Sequence, residues 1–421
     1  MTQYRRIKGT HDILPQESQN WIKIENEIHR IMAIYNYAHM RTPVFENTAL
    51  FARGIGQLTD IVSKEMYTFT DRGHKSLTLK PEMTAPIIRA YLENKLYARQ
   101  PLNKLYYISP LFRQENPQAG RLRQFHQFGA EALGSSDPAI DAEIIRLSLS
   151  VYSSLGLKNL SLKINSVGDA HCRVPYKKLL QDYIRPNLEQ YCPDCQKRFE
   201  ENPMRILDCK NETCKNLNSD APKIVQHLCD DCNDHFKRLQ ELLKQLGIKY
   251  ELDSNLVRGL DYYTRTVFEI TSNDLGSQNA ICGGGRYDLL AEELGGQPAP
   301  AVGFASGIER LLMVMEKQGL LQTEEERLHI FLIAMGNEAQ EVITEWLYKL
   351  RDSGLKTDMD YLGRSIKAQM REANRQNTRF VVILGEDELK SNTFSVKLMD
   401  KNEQISVPFE KLIAFIKENS R

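Results

Sequence analysis

Three arginines stand among residues that do not keep water around a charge. Arg113 lies in Phe112-Arg113-Gln114-Glu115, Arg258 in Leu256-Val257-Arg258-Gly259-Leu260-Asp261-Tyr262-Tyr263, and Arg310 follows Gly303-Phe304-Ala305-Ser306-Gly307-Ile308-Glu309. Apolar and glycine neighbours predict partial burial, and a buried guanidinium left unpaired costs several kcal/mol. Phosphate is a good partner, because the planar fork binds its oxygens in pairs. For any one of the three, an internal acid such as Glu115, Asp261 or Glu309 is the plainer partner; three separated cases favour a polyphosphate. The usual phosphate loops do not account for them. The chain has no G-x-x-x-x-G-K-[ST] segment, and Gly283-Gly284-Gly285 lacks the spacing of a dinucleotide fingerprint.

Cysteine offers a second chemistry. Six of the eight cysteines fall between Cys192 and Cys232, as Cys192-Pro-Asp-Cys195, Cys209-x4-Cys214 and Cys229-Asp-Asp-Cys232. Without an export signal, such clustering reads first as metal binding. The two C-x-x-C pairs, Cys192/Cys195 and Cys229/Cys232, have the spacing of one structural Zn2+ site with four thiolates. Reduced cysteines in a small helical subdomain are the alternative, and the third pair exceeds a count of four.

These residues must be positioned by a chain of 421 residues, long enough for two to four domains. Its 41% hydrophobic and 26% charged content is that of a globular protein with a large core. Lys plus Arg and Asp plus Glu number 55 each, so a polyanionic partner must be held by local patches. The longest apolar run, Ile330 to Met335, is too short to span a membrane, and Met1 to Arg6 is polar. A cytoplasmic protein with no membrane partner is the expectation.

Residues 1–40 predict an amphipathic helix on Ile22, Ile24, Ile28, Ile31, Met32 and Tyr35. Short strands (Leu77 to Leu79, Lys104 to Ile108, Gln127 to Leu133, Ser161 to Ile164) then alternate with helices at Met83 to Glu93 and Asp137 to Leu155. The strands are not followed one for one by crossover helices, which favours a mixed or antiparallel sheet and an α+β fold. Residues 170–250 turn cysteine-rich and helical, with Phe236, Leu239, Leu242, Leu243 and Leu246 at helical spacing, and read as an insertion. Strand character returns over Leu256 to Ser272 and Cys282 to Gly303, and a helix runs from Ser306 to Gln318. After the acidic run Glu324–Glu326 comes strand–helix–strand–helix–strand: His329 to Met335, Glu338 to Arg351, Leu355 to Met359, Ser365 to Gln376, Phe380 to Leu384. The expected domains are a core in two parts, 1–169 and 251–322, an insertion at 170–250, and a C-terminal α/β domain at 327–421.

At this resolution of motifs the chain resembles the class II aminoacyl-tRNA synthetases, and within them the histidyl-tRNA synthetases. Arg41 to Glu46 (RTPVFE) is similar to the first class signature, Phe112 to Glu115 with Arg121 to Glu131 to the second, and Gly303 to Leu312 to the third. Leu256 to Glu269 (LVRGLDYYTRTVFE) and Cys282 to Asp288 (CGGGRYD) match the two segments particular to the histidine enzymes. The resemblance implies a class II mixed/antiparallel sheet with flanking helices, a helical insertion and a C-terminal α/β anticodon-binding domain. It implies activation of L-histidine with ATP and Mg2+ to histidyl-adenylate and pyrophosphate, transfer to the 3'-terminal ribose of tRNA-His, and a homodimer.

The resemblance also carries roles onto residues. Arg113 and Arg258 become the catalytic pair on the α-phosphate. Glu115, Arg121, Phe125 and Arg310 join them in holding ATP. Glu82, Thr84, Gln127, Glu131, Tyr262, Tyr263 and Tyr287 become the histidine-binding set. Where the family has Arg-Pro-Glu-Gly-Thr, this chain has Lys80-Pro81-Glu82-Met83-Thr84, which implies altered packing with the ligand positions kept. Asn116 and Leu122 replace a common arginine and tyrosine, where the acceptor stem approaches. In the last domain Arg364, Lys367, Arg371, Arg375 and Arg379 recur three or four apart across a helix. A solvated face is the common meaning of such a run; next to a synthetase core, a tRNA-facing surface is the better one. The rival is the synthetase-like regulatory subunit of ATP phosphoribosyltransferase, which keeps the fold, usually lacks the anticodon domain and loses catalytic arginines.

Overall fold

Strands that alternate in burial but lack crossover helices need neighbours running the other way, and most of those in the first 310 residues find them in one sheet. The computed structural model describes residues 4–55, 59, 61–276, 279–321 and 327–419; Glu324–Glu326 and residues 1–3 lie outside these. The chain divides into two compact units, Met1–Leu321 and Gln322–Arg421.

In the first unit the strands are β1 (Ala38–His39), β2 (Phe45–Asn47), β3 (Tyr67–Thr70), β4 (Ser76–Leu79), β5 (Asn103–Phe112), β6 (Gln124–Leu133), β7 (Leu160–Ser166), β8 (Glu251–Leu252), β9 (Thr264–Ser272), β10 (Ala280–Arg286) and β11 (Ala301–Gly307). Eight form one sheet in the order β1-β5-β6-β11-β10-β9-β7-β8, and β2-β4-β3 form a small one. Only the two-residue outer strands β1 and β8 pair parallel to their neighbours; the six strands between are antiparallel. The expected mixed sheet is therefore the observed one.

The helices of this unit are α1 (Pro15–Ile34), α2 (Thr48–Ile55), α3 (Thr84–Glu93), α4 (Pro138–Ser154), α5 (Ala170–Ile184), α6 (Pro193–Glu201), α7 (Glu212–Leu217), α8 (Asp230–Gln245), α9 (Leu290–Glu293) and α10 (Ile308–Lys317). Helix α1 buries Ile24, Ile28, Ile31 and Met32, while Ile22 points to solvent, one position off the stripe. Helix α4 starts where Asp137 accepts a hydrogen bond from the Ala139 amide, an N-cap followed by Pro138 at the first turn. Helices α5 to α7 enclose a small core of their own around Tyr176, Leu180, Ile184, Phe199 and Ile206. Helix α8 instead buries Phe236, Leu239 and Leu243 in the main core beside α4, leaving Leu246 exposed.

The expected strand over Leu256 to Ser272 begins only at Thr264. Residues 256–263 are occupied by side chains of the insertion instead of by a neighbouring strand. Arg205 donates to the Gly259 carbonyl, Arg173 to the Tyr263 carbonyl, and Asn202 to the Asp261 carboxylate. Those bonds hold the segment against the face of the sheet.

The second unit has β12 (Ile330–Ala334), α11 (Asn337–Asp352), β13 (Thr357–Met359), α12 (Ile366–Arg375), β14 (Phe380–Leu384), α13 (Glu386–Ser391), β15 (Thr393–Leu398), β16 (Glu403–Pro408) and α14 (Leu412–Asn419). Its sheet runs β13-β12-β14-β15-β16, parallel through β14 and antiparallel beyond. The last hairpin was not among the expected elements, although Phe394, Val396 and Leu398 alternate with polar residues and Asn402 turns the chain at φ 54°. No helix among the described residues is long and apolar enough to cross a membrane.

One ion pair ties sheet to helix. Arg286, at the end of β10, is wholly buried and donates to both oxygens of the equally buried Asp141 on α4, to Asp288 at 3.0 Å and to the Ser135 carbonyl at 2.8 Å. Asp141→Ala removes the two-oxygen partner of this guanidinium and leaves it Asp288 alone as a carboxylate, and the expected loss of unfolding free energy is about 3 kcal/mol, read from the urea midpoint. A loss of less than about 1 kcal/mol, the scale of a surface pair, would show that Arg286 does not depend on Asp141.

Candidate active site

The sheet can hold large polar side chains against its face because two neighbouring strands, β10 and β11, carry glycines at the points of approach. Gly303 of β11 is in register with Glu131 of β6, and a Cβ on it would stand 1.6 Å from Glu131 Oε2. A Cβ on Gly283 of β10 would stand 1.8 Å from Arg258 Nη2. At both positions a side chain would displace the functional group itself.

Two adjoining cavities follow. The inner one, about 210 Å³, is lined by Glu82, Thr84, Gln127, Glu131, Tyr262, Tyr263 and Tyr287, all expected as histidine-binding. The outer one, about 380 Å³, is lined by Glu115, Arg121, Phe125 and Arg310. Arg113, Arg258 and Gln127 line both. Apart from Gln127, the residues assigned to the two ligands fall in different chambers, with the two arginines of the catalytic assignment where the chambers meet.

In the inner chamber Glu131 accepts hydrogen bonds from Thr84 Oγ1 at 2.8 Å and from the Tyr287 hydroxyl. Burial pushes its carboxyl up to about 8, against the pull of those two donors. Burial also raises Glu82, whose oxygens accept the Thr84 and Ala85 amides at 2.7 and 2.9 Å at the start of α3. Lys80, where the family has arginine, is buried with Nζ 3.3 Å from the Thr42 carbonyl, and burial lowers it to about 8. Met83 fills the space beside it, 1% exposed, with Thr42 Oγ1 3.7 Å from its sulfur.

The arginines are held by their stems. Arg113 Nε donates to the Pro81 carbonyl at 2.9 Å, and its guanidinium lies 5.1 Å from the Phe125 ring centroid. Arg310 donates to the carbonyls of Gly120 at 3.1 Å and Ala280 at 2.6 Å. Arg258 has a carboxylate partner, Glu269 at 2.9 Å. Of the acids considered from sequence as plain partners, Glu115 stands 3.7 Å from Arg113, Asp261 is bonded to Asn202, and Glu309 accepts the His126 amide and faces its ring.

Two lining residues, Tyr107 and Arg205, and the carboxylate partner of Arg258, Glu269, lie outside the expected site. Tyr107 on β5 lines the inner chamber, and its buried hydroxyl has no hydrogen-bond partner among the described residues. Its signal was the pairing of Tyr107 with Gly129, which no single strand reveals. Arg205 reaches the outer chamber from the insertion, and Glu269 ends the LVRGLDYYTRTVFE segment whose start was read for Arg258.

Helix α12 modifies the expected basic face. Arg364 is bound to Asp360 and Glu372, and Arg375 to both oxygens of Glu372, whose carboxyl the Arg375 bond above all draws down to about 2. Lys367 and Arg371 are exposed, and Arg379 lies beyond the helix end. The expected zinc tetrad is corrected outright. Cys192 and Cys195 do not meet Cys229 and Cys232: the first pair clusters with Cys209 and Cys214, the second with Cys172 and Asp169. The cause is α8, which carries Cys232 in its first turn and packs Phe236, Leu239 and Leu243 into the main core and not into the insertion's own.

Residues 9–171 and 202–311 match the model of the histidyl-tRNA synthetase family, and residues 329–419 match an anticodon-binding domain. The chain is 48% identical over 413 residues to the histidine–tRNA ligase of Pelotomaculum thermopropionicum, covering 98% of this chain and 97% of that one. Among solved structures, apo histidyl-tRNA synthetase of S. aureus aligns with a TM-score of 0.84 and 40% identity over 99% of this chain and 100% of its own. A Bacillus halodurans protein described as an ATP phosphoribosyltransferase regulatory subunit/histidyl-tRNA synthetase shares the fold at 0.65 and 22% identity, over 91% of this chain and 99% of its own. Glycine-backed chambers, sequence kinship across both units and the shared architecture agree: this chain belongs to the histidyl-tRNA synthetase family.

Proposed function

We infer that the chain activates L-histidine with ATP and transfers the histidyl group to the 3'-terminal ribose of tRNA-His. The observation that carries this reading is the junction of the chambers: a small polar pocket with a buried carboxylate opens, between Arg113 and Arg258, into a larger one ringed by further arginines. Histidine occupies the inner chamber and ATP the outer. A carboxylate oxygen of histidine attacks the α-phosphorus, the bond to the bridging oxygen breaks, and pyrophosphate leaves; Mg2+ bound with ATP would offset part of the charge on that leaving group. Such a displacement depends on positioning and charge stabilisation. Arg113 aligns the two anions, Arg258 takes the developing charge on the α-phosphate, and Arg121 and Arg310 hold the outer phosphates. Phe125 stacks on adenine while Glu115 accepts from its amino group. In the second step the ribose hydroxyl attacks the acyl carbon and AMP departs.

The imidazole is chosen by polar complementarity. It offers one donor and one acceptor nitrogen. Glu131 and Tyr263 satisfy both, with Tyr262 and Tyr287 packed beside them, while Glu82, Thr84 and Gln127 hold the α-ammonium. Analogues without those nitrogens leave buried polar groups unpaired, which discriminates strongly without proofreading. Lys367 and Arg371 supply phosphate contacts on the anticodon-binding domain, and the exposed Tyr361 offers a ring for a splayed base. The enzyme works in the cytoplasm as a homodimer, a reading supported by the exposed Val44 and Phe45 of the first class signature. A histidine-sensing regulatory subunit fits less well, since sensing requires neither the ring of arginines nor an anticodon-binding sequence.

Histidine-dependent exchange of pyrophosphate into ATP tests the reading directly. Arg258→Ala should lower kcat in that exchange by about 10²–10³-fold, the scale of a transition-state donor; exchange driven by another amino acid, or unaffected by the substitution, refutes it. Lys367→Glu with Arg371→Glu should raise the KM for tRNA and leave exchange unchanged, and equal effects on both would remove the RNA-facing role. Glu131 gives a pH signature. Folded, it keeps its proton up to about 8, whereas the unfolded chain releases it near 4.3. Stability should therefore fall as pH climbs through that window. Glu131→Gln should flatten the fall in a urea series from pH 5 to 8 while abolishing exchange; an unchanged slope would place the buried proton elsewhere.

A further inference from the structure

We propose that the insertion carries two separate zinc sites of different composition: a four-thiolate site at Cys192, Cys195, Cys209 and Cys214, and a three-thiolate, one-carboxylate site at Asp169, Cys172, Cys229 and Cys232. In each group the candidate ligand atoms all lie within 4.8 Å of one another. Cys192 Sγ and Cys209 Sγ are 3.8 Å apart. Four sulfurs at about 2.3 Å from a tetrahedral Zn2+ have edges of about that length. Such crowding is too tight for an iron–sulfur core, and all eight cysteines are free thiols. Seven of the eight belong to these two groups, and Cys282 alone lies in neither.

The supporting shell is also present. The Cys192 amide donates to Cys214 Sγ at 3.3 Å and the Cys229 amide to Cys172 Sγ at 3.0 Å, backbone bonds that orient each sulfur. Asp169 Oδ1 accepts the His171 and Cys172 amides at 2.9 and 3.2 Å, which fixes the carboxylate at the start of α5 while Cys229 Sγ stands 3.8 Å from Oδ2. Each pair has ligand spacing: Asp169-x-x-Cys172, Cys192-x-x-Cys195, Cys209-x4-Cys214 and Cys229-x-x-Cys232. The sites do different structural work. The four-thiolate site ties the insertion's own small core. The mixed site joins the first turn of α5, where the chain leaves the sheet after β7, to the first turn of α8, the helix that returns to the main core.

The test is the zinc content of the purified full-length chain, by mass spectrometry of the metal, with a count of reactive thiols before and after chelation. Two equivalents per chain, with seven thiols released on chelation, are expected. Cys209→Ser and Cys229→Ser should each lose one equivalent and keep the other, and Asp169→Asn, which preserves the helix cap, should lose zinc only from the mixed site. Cobalt replacing zinc keeps the comparison independent of variant folding: tetrahedral absorption from two equivalents supports the proposal. Fewer than two equivalents of metal, or thiols paired as disulfides, overturns it.

Discussion

The approach of backbone to functional group at Gly283 and Gly303 governs the rest of the site. Arg258 and Glu131 come from different segments, one a loop and one a strand, yet each rests against a glycine of the same sheet at a distance no Cβ tolerates. The sheet must therefore be bare there. It must also be held rigidly, since a bare strand has no side chains of its own to pack. Arg286, three residues beyond Gly283, supplies that hold through its buried contacts to Asp141 and Asp288. The segment Cys282 to Asp288 is thus two devices in succession, an opening for a cation and an anchor made from another.

Much of this could be read from residue types because the needed chemistry is unusual. An arginine among leucines and glycines declares a partner, and the segments around Arg113, Arg258 and Arg310 all line the outer chamber. Long periodic elements were legible for the same reason: α4 and β14 follow directly from their apolar spacing and caps. What escaped was whatever depends on pairing between distant segments. Tyr107 becomes a pocket residue only because β5 sets it beside Gly129, and Glu269 becomes the partner of Arg258 only because β9 lies under the loop. Residues 256–263 have the composition of a strand, and lose that conformation to hydrogen bonds from Arg205 and Arg173 of the insertion.

The cysteines make the same point about spacing. Two C-x-x-C pairs suggested one tetrahedron, but each pair is only half of a ligand set, and sequence order does not say which halves join. The helix carrying Cys232 answers to the main core through Phe236 and Leu239, so its partner is the pair nearest the sheet, not the nearest pair in sequence. Asp169 could not be recognised as a fourth member without that placement. On α12 the correction runs through electrostatics: Glu372, a single acid among five cations, engages two of them and thins the face that spacing alone had drawn.

Glu82 occupies a position with a consequence for how this pocket can change. Both its oxygens close the first turn of α3, and the same carboxylate faces the inner chamber. Beneath that turn lie Ile87, Ile88 and Tyr91, all in the core. Any replacement that changes what this carboxylate presents to the chamber also frays the helix standing on that core, so the pocket's lining and thermal robustness are welded together at one side chain and drift cannot explore them separately.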